Sequence, residues 1–140
     1  MKDNHAIEQI KEFKHKKSLL VSNEINELNR EITGVEEEIC QLRNYLHQLR
    51  EEQVNYKKEF YVRLTELEKF SGNVFVELDL ELEKYTWKID QKIESINSTE
   101  EQLSELQHKQ QLLKKQYLAL MRKIEKYNYL QDSLTEVGEC

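Results

Sequence analysis

The stretch FSGNVFVELDLELEKY, residues 70–85, decides the fold of this chain because it allows two interpretations. Apolar residues occupy every second position from 74 to 82 and acidic residues separate the later ones, as in a strand with one buried face. No second alternating run is present to pair with such a strand, and an unpaired strand leaves its backbone hydrogen-bonding groups unsatisfied. The stretch is therefore predicted to begin a helix.

The composition of the whole chain also favours helix. Its 140 residues include no proline and only three glycines, and 34% are charged. Such polarity is typical of disordered chains, but the regular spacing of leucine and isoleucine argues against disorder. There is neither an apolar run long enough to cross a membrane nor a signal-like N-terminus, so we expect a soluble, cytoplasmic protein without membrane insertion.

Two long rows of apolar residues follow a heptad pattern. The first runs from Val21 to Phe70 and the second from Phe75 to Ile124, each advancing by alternate steps of four and three residues. The rows come into register if the chain reverses between Gly72 and Asn73, two residues suited to a tight turn with positive φ. The prediction is an all-α fold, a single long antiparallel two-helix coiled-coil hairpin. Its predicted parts are helix 1 at about 3–70, a turn at 71–74, helix 2 at about 75–135 and a short tail at 136–140.

This register makes specific predictions about facing residues. It places Phe60 opposite Tyr85 and polar Gln53 opposite Lys92, which would form one register layer in a mostly apolar interface. A chance coincidence of two polar positions is the alternative. Toward the termini the rows become polar, and the same register places Lys11 opposite Leu134.

The sequence offers no motif for catalysis. Nucleotide-binding and metalloprotease spacings are missing, the four histidines are scattered, and the two cysteines lack ligand spacing and lie too far apart in a hairpin to pair. We therefore expect a protein that is not an enzyme and binds no cofactor, metal or small-molecule ligand. The net charge of −6 argues against nucleic acid as a partner.

Two surfaces are predicted to bind other proteins. The first is basic and lies at the predicted open end of the hairpin, with Lys14, Lys17, Arg122, Lys123 and Lys126. Lysines in such positions also serve solubility alone. The second surface is apolar and aromatic and lies near the predicted turn, among acidic residues. Its members are Phe70, Val74, Phe75, Val76, Leu80, Tyr61 and Trp87. A purely structural role at the turn is the alternative for them.

The last helix contains LQHKQQLLKKQYLALMRKIEKYNYL at 106–130. With this segment closing a proline-free hairpin, the chain resembles the stalk proteins of bacterial type III secretion, the YscO/FliJ-type family. The resemblance implies a central stalk in the pore of a hexameric secretion ATPase, linked to an export-gate protein and contacting secretion chaperones, at the cytoplasmic side of the inner-membrane apparatus. It also implies that the basic surface enters the ATPase ring and that the apolar surface faces the gate.

Two other functions remain open at this point. A dimerising coiled-coil tether would use the same heptads between two chains. A prefoldin-like chaperone also uses long helical hairpins, but it needs several β-strands, and only residues 74–82 have a strand-like pattern.

Overall fold

The protein consists of two long helices. The computed structural model describes the backbone of residues 2–66 and 72–139, and side chains within 3–66 and 72–134. Helix α1 spans Lys2–Glu66 and helix α2 spans Gly72–Glu139, and the two helices pack against each other. The all-α hairpin expected from the sequence is confirmed at this level.

The first residues of α2 correct the predicted turn. Residues 74–82 are helical, so the alternating run is not a strand. Gly72 and Asn73 are also helical, and no described residue has a positive φ. The positive-φ turn predicted there is wrong, because the helix already begins at Gly72. At its other end α2 continues to Glu139, beyond the predicted boundary at 135.

The chain divides into two compact units, where the sequence predicted one domain. The terminal unit contains the described residues up to Thr33 and those from Ser104 onward, and the central unit contains residues 34–103. Each unit therefore contains one segment of α1 and one segment of α2.

The predicted heptad rows account for most of the buried side chains. Every described position of the α1 row is buried or half-buried except Arg63, and every position of the α2 row is buried or half-buried except Phe75. At each of these two positions an adjacent residue is buried or half-buried instead: Leu64 is 6% exposed and Val74 is half-buried. The inward-facing residues at the end of α1 are Tyr56, Phe60 and Leu64, and those at the start of α2 are Val74, Leu78 and Leu82. Both sets advance by two successive steps of four residues, whereas a strict heptad alternates steps of four and three.

Apolar contacts hold the central unit together in two clusters. One cluster joins Leu46 and Leu49 of α1 to Ile89 and Ile96 of α2. The other consists of Phe60, Leu64 and Leu78, with three half-buried residues packed around it, Tyr56, Val74 and Leu82. Leu49 and Ile96, which lie opposite each other if the chain reverses between Gly72 and Asn73, thus share one cluster.

The aromatic contacts of the central unit differ from the predicted pairs. Tyr85 was expected opposite Phe60, but its ring centroid lies 6.0 Å from that of Tyr56, and Phe60 clusters with Leu78 instead. Burial of Tyr85, reinforced by the charge of Glu52, raises the pKa of its phenol above the usual value. Tyr85 therefore contributes to the interface as a neutral ring at physiological pH.

In the terminal unit an apolar interface gives way to a polar one. Its buried apolar side chains are Val21, Leu28, Ile32, Leu120 and Ile124. Beyond them Ser18 is only 3% exposed, and its hydroxyl donates a hydrogen bond to the His15 carbonyl at 2.6 Å. Packing between the helices thus continues past the end of the apolar rows.

Polar contacts in this region show another difference from the predicted register. The Lys11 ammonium donates to the Gln131 side-chain oxygen at 3.2 Å, whereas Leu134 was expected opposite it. The amide nitrogen of Gln131 donates in turn to Glu8 at 3.1 Å. The observed partner lies three residues before the predicted one, about one helical turn.

The interface between the two helices is thin. No described side chain is less than 2% exposed, because a pair of helices covers each contact residue from one direction only. Within the described part of the chain every buried side-chain nitrogen and oxygen has a hydrogen-bond partner. The hydroxyl of Thr99, for example, donates to the Ser95 carbonyl at 2.7 Å.

Candidate protein-binding surfaces

The five basic residues singled out in the sequence all lie in the terminal unit. Four of them are exposed and Lys14 is half-buried. The contacts Lys11–Gln131 and Asn29–Gln110 bracket the stretch that contains them, so the structure brings both helical segments of this basic surface to one part of the unit. None of the five forms an ion pair with another described residue. These cations are therefore available to an acidic partner.

Arg122 and Lys126 are both exposed on α2. They lie four residues apart and hence on one face of the helix. Each is two residues from a row of inward-facing side chains that includes Leu120, Ile124 and Asn128. Two residues correspond to a rotation of about 200°, so both cations point away from the α1 segment.

A shallow groove of about 450 Å³ lies in the same unit between the two helical segments. Met121 and Ile124 supply its apolar wall, while Glu8, Lys11 and Glu12 contribute charges of both signs. This mixture does not select one class of ligand, so the groove adds little to the basic surface beside it.

The apolar surface predicted near the turn lies in the central unit, apart from Phe70, which is outside the described residues. Val76, Leu80 and Trp87 are 55%, 54% and 65% exposed. Phe75, predicted both as the first position of the second row and as a member of this surface, is 47% exposed and so lies on the surface. Val74, in contrast, packs against the interior cluster and is not freely available to a partner.

Tyr61 belongs to a different helix from these residues. It lies on α1, is 48% exposed, and its ring meets Phe60 edge-on with centroids 6.4 Å apart. The structure therefore gives Tyr61 a contact with the interior as well as an exposed edge.

Lys92, one member of the predicted polar layer, contacts an aromatic ring. Gln53 and Lys92 are both half-buried, as expected for positions in the rows. The Lys92 ammonium lies 4.6 Å from the centroid of the Tyr45 ring, a cation–π contact between the helices. The sequence does not single out this pair, because the predicted register places Lys92 opposite Gln53, eight residues from Tyr45.

A double-mutant cycle measures this contact. Replacing Lys92 with methionine and Tyr45 with leucine, singly and together, should give a coupling free energy of about 0.5–1 kcal/mol, because the ammonium is attracted to the face of the ring. Urea unfolding followed by circular dichroism supplies the four stabilities. Strictly additive effects of the two substitutions would show that the contact contributes nothing.

The described residues lack two other kinds of feature, a metal-ion cluster and a membrane-spanning helix. They contain no group of three or more His, Cys, Asp or Glu side chains arranged to hold a metal ion. Neither described helix has a segment that is both long enough and apolar enough to cross a bilayer.

Comparison with protein-family models, with curated proteins and with solved structures finds no match to this chain.

Proposed function

We propose that this chain is a non-enzymatic central stalk of a bacterial type III secretion export apparatus. It would bind the hexameric secretion ATPase, stimulate the assembly and activity of that ring, and link it to the export-gate protein at the cytoplasmic side of the inner membrane. Secretion chaperones are further proposed partners. The likeness of residues 106–130 to YscO/FliJ-type stalk proteins motivates this assignment.

The proposed architecture is an antiparallel coiled coil within each unit. Contacts in the central unit support it: Arg43 pairs with Glu100 and Tyr56 meets Tyr85, so numbers on α2 fall as those on α1 rise. In the terminal unit Lys11 pairs with Gln131 and Asn29 with Gln110, in the same sense. Burial along the heptad rows supports knobs-into-holes packing.

The single observation that carries the functional proposal is the free basic surface of the terminal unit. Its cations belong to two different helical segments and have no ionic partner among the described residues. An asymmetric helix pair inside a six-fold ring necessarily contacts the six subunits unequally. Such differential contacts can favour ring assembly and shift the nucleotide states of individual subunits.

The test combines the purified chain with the purified secretion ATPase of the same organism. We expect more hexamer by sedimentation and faster ATP hydrolysis than for the ATPase alone. Reversing Arg122, Lys123 and Lys126 to glutamate should remove most of this stimulation, because the acidic surface that these cations are proposed to bind would then face like charges.

A matched control separates the local effect from that of net charge. Arg50, Lys57 and Lys58 are exposed cations of the central unit, and reversing these three changes the net charge by the same amount. This control variant should stimulate the ATPase like the unmodified chain. Equal loss in both variants, or no effect of the unmodified chain on hexamer formation and hydrolysis, would contradict the proposal.

A further inference from the structure

Three exposed apolar side chains of α2 lie along one face of the helix in the central unit. Val76, Leu80 and Trp87 are separated by four and seven residues, the spacing that places side chains on one helix face. The position that would complete a heptad row between Leu80 and Trp87 is Glu83. We call the three apolar residues the outer stripe.

The outer stripe points away from α1. Val76 lies midway between Val74 and Leu78, both of which pack in the interior cluster. Leu80 and Trp87 are likewise two residues from inward-facing positions, which corresponds to a rotation of about 200° around the helix. No residue of α1 can cover a stripe on that side, and all three side chains are more than half exposed.

A row of carboxylates runs along one edge of the outer stripe. Each stripe residue is followed three positions later by an acid, namely Asp79, Glu83 and Asp90. Side chains three residues apart are neighbours on a helix, so the three acids flank the stripe on the same side. All three are exposed, and none forms an ion pair with another described residue.

The opposite edge of the stripe is less charged. Lys84 lies there, four residues after Leu80, and its ammonium is bound to Glu81 at 2.9 Å. This hydrogen bond with Glu81 raises the pKa of Lys84. Glu77 also lies on this edge, three residues before Leu80, and is exposed without an ion pair among the described residues. The unpaired charge beside the stripe is therefore negative on both edges, and most of it lies on the side of the three acids.

We propose that the outer stripe is the docking site for an amphipathic helix of a partner protein, with apolar residues at heptad spacing and a row of lysines or arginines beside them. The partner's apolar residues would cover Val76, Leu80 and Trp87, and its cations would pair with Asp79, Glu83 and Asp90. Charge complementarity selects this occupant: a second copy of the chain would add its own carboxylates, whereas a basic helix neutralises the row. The inference rests on the partner-binding role proposed above and defines the chemistry of the partner at this surface.

The chain's only tryptophan is part of the stripe and reports on its occupancy. The probe is a synthetic helical peptide with leucines at alternate steps of four and three residues and lysines along one flank. Titrating it into the full chain should shift the emission of Trp87 to shorter wavelength as the ring leaves water. A peptide with glutamate in place of every lysine should bind at least about tenfold more weakly.

Variants of the protein test the two components of the site. Replacing Leu80 with serine should weaken binding of the basic peptide, since an apolar contact is lost. Reversing Asp79, Glu83 and Asp90 to lysine should weaken it by about tenfold or more and should invert the preference between the two peptides. The matched control reverses Glu36, Glu37 and Glu38, three exposed acids elsewhere in the central unit, and should leave the affinity unchanged.

Three outcomes would overturn the proposal. The first is the absence of a shift in Trp87 emission at saturating peptide. The second is equal binding of the basic and acidic peptides, or equal weakening in the stripe and control reversals. The third is dimerisation of the chain that the Leu80 substitution abolishes, since a second copy would then occupy the stripe. The peptide assay contains no ATPase and leaves the terminal unit unchanged, so its failure can be distinguished from failure of the stalk function.

Discussion

Replacing Phe60 with alanine should lower the free energy of unfolding of the central unit by about 3 kcal/mol. Phe60 is 6% exposed and clusters with Leu64 and Leu78, so truncation removes a large apolar contact between the helices and leaves a void. We place the expected loss at the lower end of the range for buried phenylalanine because a thin interface can partly close around the gap. Urea unfolding followed by the helical circular dichroism signal gives the value.

Phe75 is the matched control for this prediction. It is the same residue type in the same unit but is 47% exposed, and the heptad pattern alone assigned it to the interface. Its replacement with alanine should change stability by less than about 1 kcal/mol. A loss as large as that for Phe60 would restore the strict heptad assignment and contradict the observed packing.

Replacing Leu64 with alanine should lower the stability by about 2–3 kcal/mol, whereas the same change at the adjacent Arg63 should have an effect within about 0.5 kcal/mol. Leu64 is 6% exposed and packs in the cluster, while Arg63 is exposed, although a strict heptad gives the opposite assignment. The measurement is again denaturant unfolding of the two variants in parallel. Alanine is a better helix former than most residues, so helix propensity does not explain a loss at Leu64.

A different result would identify the alternative register. If Arg63→Ala were the more damaging change, the α1 row would follow the strict four-and-three pattern at this point. Equal, small effects would indicate that the helices do not pack here at all.

The helices and their contact faces could be predicted from sequence because a regular apolar period over many turns determines which face is buried. From Val21 to Phe60 and from Leu78 to Ile124 the predicted rows agree with the observed burial. The errors occur at Arg63 and Phe75, where strict alternation of steps of four and three residues requires a step of three. A helix with 3.6 residues per turn can instead take two steps of four, and only packing against the other helix decides between them.

The surfaces were less predictable than the interface. Exposure of Trp87 follows from its distance to the heptad row, and the acids beside it are visible in the sequence. The sequence does not show which charges remain unpaired, because ion pairing depends on contacts between side chains. Lys84 is bound to Glu81, whereas Asp79 forms no ion pair within the described residues. For the same reason the contact of Lys92 with Tyr45 required the structure.

The incomplete enclosure of every described core side chain has a thermodynamic consequence. A third helix laid along the pair would complete the burial of residues that already hold the first two together. Its binding energy would then add directly to folding, and the melting temperature would rise with the concentration of the ligand. The melting temperature would thus report the fraction of the protein that is bound in an assembly.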